Sequence, residues 1–220
     1  MSSGVRTALY AAVVLMVIGG VAYWSWLLEF FLPTGLSPVH ARIGEATAEG
    51  QPYRDLFRTA YVVAGIAFML MVPPLLRLVP AQTWPRVVVL LLGIFGLNVL
   101  LSALFTLDCA PSASQRCRDL IAEGEVSVAH QIHFATAWVT TAIQLAAAAC
   151  VERWWLGGWR TAARVAFVIV LAAAIVVAIL ESFGSGQFVG LLVRLQLVTM
   201  VGLLFVGAAY LLNASRLRPW

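Results

Sequence analysis

Six apolar runs alternate with polar breaks along the chain, at residues 8–32, 59–79, 86–107, 130–151, 161–183 and 188–213. Crossing about 30 Å of hydrocarbon takes about 20 apolar helical residues at 1.5 Å each, so every run predicts one membrane-spanning helix. The breaks carry turn chemistry. Pro33 and Gly35 close the first run, Pro80 and Pro85 flank the second short loop, and Gly157 and Gly158 lie in the third. Gly184, Ser185 and Gly186 predict a tight turn between the last two helices. Pro73 and Pro74 predict a kink near the end of the second span, because proline removes a backbone donor and crowds the preceding turn. Two breaks are long, 33–58 and 108–129, and each predicts a short surface helix. In the first, Ser37 is a candidate N-cap, Pro38 suits the first helical position and Gly50 is a stop. In the second, the helix spans about 112–123 and Gly124 ends it.

Composition supports this pattern. Of 220 residues, 62% are hydrophobic and 11% charged, whereas ordinary globular chains carry roughly 25% charged residues. A water-solvated core cannot hide that much apolar surface. The expected fold is all-α, a polytopic six-helix transmembrane bundle forming one domain over residues 1–220. Arg6 followed by an apolar run resembles a signal peptide, but the run 8–32 is too long for one, so an uncleaved first span is expected.

Charge sets the expected orientation. All 14 basic residues are arginine, giving a net charge of +4. They are scattered at helix ends with no basic face, which excludes a nucleic-acid partner. With both termini cytoplasmic, the inner side carries eight arginines (Arg6, Arg77, Arg86, Arg153, Arg160, Arg164, Arg216 and Arg218) against five in the outer loops. The positive-inside rule therefore places the termini in the cytoplasm and both long loops outside, in a bacterial cytoplasmic membrane. Trp84, Trp154, Trp155, Trp159 and Trp220 fall at the same inner interface and predict an aromatic belt there.

Reactive side chains gather at the other end. Cys109 and Cys117 share an extracytoplasmic loop, where oxidation is permitted, and predict a disulfide. Cys150 is a lone thiol expected to behave as a small hydrophobe. Glu29, Glu181 and Arg194 lie in the outer third of the spans, where charges need partners or water. Arg194 with Glu181 is the expected pair. These groups either fix helix packing or line an outward cavity for a charged head group. Asn98, Gln144 and Gln196 are expected to serve as interhelical hydrogen-bond glue, and Gly186 with Gly190 to permit close helix contact.

Asp108 ends the third span, and His130 and His133, three apart on one helical face, begin the fourth. One carboxylate and two imidazoles suit zinc with an open position for water, a proton relay, or a structural hydrogen-bond cluster. The pair lacks the intervening Glu of the zinc-protease helix. His40 could join only if its loop folds over the bundle, and a haem clamp would need histidines facing each other across it.

The segments Leu104-Phe-Thr-Leu-Asp108 and His130-Gln-Ile-His133-Phe-Ala, with the six-span layout, resemble the bacterial membrane family known as domain of unknown function 998. In that family the third helix typically ends in an apolar-Pro-x-Asp sequence and a histidine opens the fourth; here no proline precedes Asp108. The resemblance implies a fold type and a membrane location, and no activity.

Three function classes follow. The first is a membrane protein whose polar pocket (Glu29, Asp108, His130, His133, Glu181 and Arg194) binds a lipid or amphiphile, or which acts as an accessory subunit, without a cofactor. The second is a zinc-dependent intramembrane hydrolase using Asp108, His130 and His133. The third is a small-molecule transporter, disfavoured because the polar groups cluster near one face and no inverted repeat is evident. The first is the expected reading.

Overall fold

A computed structural model describes residues 3–183 and 186–217, with side chains through 214. The turn expected at Gly184 and Ser185, the side chain of Arg216, and Arg218 and Trp220 lie outside the described residues. The described chain is all-α, with no strand, and has the build of a membrane protein: six of its helical stretches are long and apolar enough to cross a membrane.

The helices are α1 (Ser3–Tyr23), α2 (Arg54–Leu70), α3 (Val72–Leu78), α4 (Thr83–Leu104), α5 (Gln115–Glu123), α6 (Val128–Trp154), α7 (Gly157–Ser182) and α8 (Val189–Leu217). The six spans match the apolar runs to within a few residues, with one internal correction. The first span is α-helical only to Tyr23 and continues as a 3₁₀ segment, Ser25–Phe30. The expected kink in the second span is real: α2 stops at Leu70, and Pro73 and Pro74 open α3 after Met71.

Each long helix packs on its neighbours in the order α1, α2, α4, α6, α7, α8, and α8 returns to α1. The result is a closed ring. Six cylinders each about 10 Å wide enclose a central space about one helix wide, so the axis must be filled by side chains or left open. Gly65 and Gly96 let α2 and α4 approach closely: a Cβ on either would lie 2.7–2.8 Å from the other's carbonyl oxygen.

The two ends of the ring are filled differently. Toward the termini Met16, Leu75, Val89 and their neighbours narrow the axis to a void of about 80 Å³. There Trp154, Trp155, Trp159 and Tyr210 form one aromatic cluster, with ring centroids 5.2–6.2 Å apart. Trp155 is thus buried in the bundle and not part of a surface belt. Midway, Tyr23 meets Phe68 and Phe95 edge-on at 6.1 and 5.2 Å, and those two rings lie tilted to each other at 5.2 Å. At the opposite end, where both long loops lie, the axis is open.

The loops fold across that open end. In the first, the expected helix from Pro38 to Gly50 is reduced to a turn at Ser37–Ala41 and a 3₁₀ segment, Ile43–Thr47. The reason is local: the Arg42 N–H donates to Glu45 Oε1 at 2.8 Å, which restarts the chain at Arg42. In the second, α5 begins at the Ser114 cap and ends at Gly124, whose φ of +75° suits glycine. Cys109 and Cys117 form the expected disulfide, with Cα atoms 5.9 Å apart.

Candidate vestibule at the loop end

The open end is a vestibule of about 740 Å³, within the range of small-molecule sites. All six ring helices contribute to its wall, from Tyr23, Tyr61, Ser102, Thr136, Ala174 and Gln196. His40, Arg42, Gly44 and Glu45 of the first loop, with Ser112 and Arg118 of the second, roof it.

The roof is anchored by Arg194, which is only 4% exposed. Its guanidinium pairs with Glu29 and not with Glu181, contrary to the sequence expectation. It also donates to the carbonyls of Pro38 at 2.6 Å, Ala41 at 2.8 Å and Gly190 at 3.1 Å. The Trp26 ring lies beneath it, 5.6 Å from the guanidinium carbon. Gly190 makes this docking possible, since a Cβ there would lie 2.5–2.6 Å from the Ala41 and Pro38 carbonyl oxygens. The close contact expected of Gly190 is therefore with a loop and not with a helix.

Glu181 pairs instead with Arg42. Arg42 reaches from the roof across the vestibule, also covering Phe134 and Trp138 of α6 at 5.1 and 6.0 Å. Burial lowers the affinity of the Arg42 guanidinium for its proton, and Glu45 offsets part of that effect. Glu45 also ties the two loops together, its second oxygen accepting the Ser112 N–H at 2.8 Å.

The three histidines all serve helix ends. His40 Nδ1 accepts the Phe188 N–H at 3.3 Å, and Val39 accepts from Leu191, so the first loop caps α8. His133 Nδ1 lies 3.0 Å from the Ser102 carbonyl and 2.8 Å from that of Phe105. Both partners are acceptors, so Nδ1 carries the proton, and in the neutral ring Nε2 is bare. That Nε2 lies against Gly44, where a Cβ would collide with it. Arg58 takes the neighbouring Ala103 carbonyl at 2.8 Å. Together they satisfy carbonyls that the end of α4 would otherwise leave unpaired.

Asp108 and His130 close the same joint from the other side. Asp108 accepts both the N–H and the hydroxyl of Ser127 at 2.6 Å, and Ser127 caps α6 by accepting from the His130 N–H at 3.1 Å. The Asp108 N–H donates to His130 Nδ1 at 3.2 Å. With that nitrogen an acceptor, the 4.0 Å separation from the Asp108 carboxylate is not an ion pair. Burial pushes the Asp108 carboxyl up, but the two Ser127 donors outweigh it and hold the group below its ordinary value.

Of the residues singled out in the sequence, His130, His133 and Glu181 line the vestibule, while Glu29, Asp108 and Arg194 lie outside its lining. Among the described residues no three His, Cys, Asp or Glu side chains are grouped to hold a metal ion. Asn98 is glue as expected, donating to the Thr136 carbonyl and Thr140 hydroxyl of α6 at 3.0 and 2.8 Å. Gln196 donates to Val170 at 3.3 Å. Gln144 differs. It is 2% exposed, and neither amide atom has a partner. An unpaired buried polar group costs about 1–3 kcal/mol. Arg42, Gly44 and Glu45 were missed in the sequence; the one available signal was a Glu three residues after Arg42, the spacing of a capping box.

A family model described as "Protein of unknown function (DUF998)" matches residues 7–210. The chain belongs to the DUF998 family. No curated protein and no solved structure matches it. Both segments that carried the resemblance, ending at Asp108 and opening at His130, prove to be the joint between α4 and α6 in this DUF998 protein.

Replacing Arg194 by Leu strands Glu29 and three carbonyls, and should destabilise the protein by about 3–5 kcal/mol in thermal unfolding. Adding Glu29→Leu should recover part of that loss; no recovery would mean that the carbonyls, not the ion pair, carry it. Because the folded Asp108 carboxyl titrates below its unfolded value of about 3.9, its contribution is present above that value. It is lost as pH falls through the lower folded one. The stability difference between the wild type and Asp108→Asn should therefore shrink on acidification within that window, as read from unfolding midpoints at stepped pH.

Proposed function

We propose that this DUF998 protein is a multi-pass protein of the bacterial cytoplasmic membrane that holds a lipid or other amphiphile in its vestibule. Its termini lie inside and its long loops outside. The vestibule carries the reading. Its roof is polar and charged, through His40, Arg42, Glu45 and Glu181, while Ala137, Ala174, Val177, Val193 and Leu197 give the lower wall apolar surface. A polar mouth above an apolar shaft complements a molecule with a head and a hydrocarbon tail. The orientation rests on the arginine distribution, eight against five.

Filling the shaft with Ala174→Trp should reduce co-purified amphiphile about tenfold, equivalent to about 1.4 kcal/mol, by mass spectrometry of folded protein. Absence of amphiphile from the wild type, or undiminished content in the filled variant, overturns the reading. For orientation, single cysteines are placed at Glu125 and Gly158 in a Cys150→Ser background. A membrane-impermeant thiol reagent applied to intact spheroplasts should label the first and spare the second; the reverse pattern inverts the topology.

A further inference from the structure

We infer that Gln144 anchors a hydrogen-bonding subsite at the floor of the vestibule, specific for an uncharged group with a donor beside an acceptor at the deep end of the bound molecule, opposite the end that meets the roof; a primary carboxamide is the simplest case. The inference rests on the amphiphile reading above and names the chemistry at its deepest point.

Gln144 lies in the wall between two spaces. It borders the vestibule and also a smaller void of about 50 Å³ beneath, walled by apolar side chains such as Phe68, Leu92, Phe95 and Met200. Three neighbouring polar side chains of the shaft are already engaged. Gln196 donates to Val170, Thr141 to the Ala137 carbonyl at 3.3 Å, and Thr140 receives Asn98. The amide of Gln144 alone among these has both its donor and its acceptor free. A folded protein does not leave both halves of an amide unpaired in its interior without a reason, because each forfeits its hydration. Gln144 borders the vestibule, so the inference requires its amide to turn toward that space to meet a ligand.

Depth fixes the charge of that ligand. On α6, Gln144 is eleven residues below His133, about 16 Å along the helix axis. The charged groups that line the vestibule, Arg42, Glu45, Arg118 and Glu181, belong to the roof and the loop end of α7. Among the described residues no charged side chain borders either space at the level of Gln144, so an ion there would lie uncompensated. A neutral group that both donates and accepts matches the two free atoms of the amide, one bond to each.

The test compares decanamide with N,N-dimethyldecanamide, which accepts but cannot donate, on full-length protein in nanodiscs. Binding is read by tryptophan fluorescence for the wild type, Gln144→Leu and Gln144→Met. The wild type should prefer decanamide about tenfold, and both variants should bind the two probes alike. Without ligand, both variants should unfold at or above the wild-type temperature, since the substitution removes an unpaired amide. Equal binding of the probes by the wild type, or a preference that survives in the variants, overturns the subsite and leaves the amphiphile reading standing. Lower unfolding temperatures in both ligand-free variants also overturn it, because Gln144 would then have a structural partner. If no probe binds any protein, the amphiphile reading falls and this inference with it.

Discussion

The vestibule exists because one buried arginine pins a loop to the bundle. Arg194 gathers Glu29, two loop carbonyls and a carbonyl of its own helix around a single guanidinium. A charge at that depth is costly unless it is paired, and the fixed fork of N–H groups allows one side chain to hold several acceptors at once. The loop so held presents Arg42 to Glu181, Gly44 to His133 and Glu45 to the second loop. The roof is thus a consequence of ion pairing below it, with Gly190 supplying the room.

Helix ends explain several of the polar residues around the vestibule. A helix leaves about four N–H or four C=O groups unpaired at each end, and near hydrocarbon these need partners from the protein. His40, Arg58, Ser127 and His133 supply them, and Asp108 holds Ser127 in place. The clustering of Asp108, His130 and His133 that suggests zinc or proton chemistry has this structural employment in the folded chain. His133 also lines the vestibule, so the joint and the cavity share a wall.

Gln144 stands apart from that pattern. Asn98 and Gln196 look like it in the sequence, each a polar residue within an apolar run, and both find carbonyls on adjacent helices. The three differ only in what lies across from them. Gln144 faces the axis of the ring where the plug of Tyr23, Phe68 and Phe95 gives way to open space.

Periodicity and composition determined the number of spans, their limits to within a few residues, the break at Pro73 and Pro74 and the disulfide; two short segments, with the six-span layout, pointed to the family. These depend on local chemistry: apolar length, proline geometry and the proximity of Cys109 to Cys117. Pairing was not local. Glu29 and Arg194 are separated by 165 residues, and Arg42 and Glu181 come together only when the ring closes. Sequence proximity pointed to Glu181 for Arg194 because α7 and α8 are adjacent; the 3₁₀ end of the first span offered Glu29 to Arg194, and the first loop offered Arg42 to Glu181. Only the tertiary structure could decide this, since the first pair depends on the ring closing α8 against the first span and the second on where a loop comes to rest.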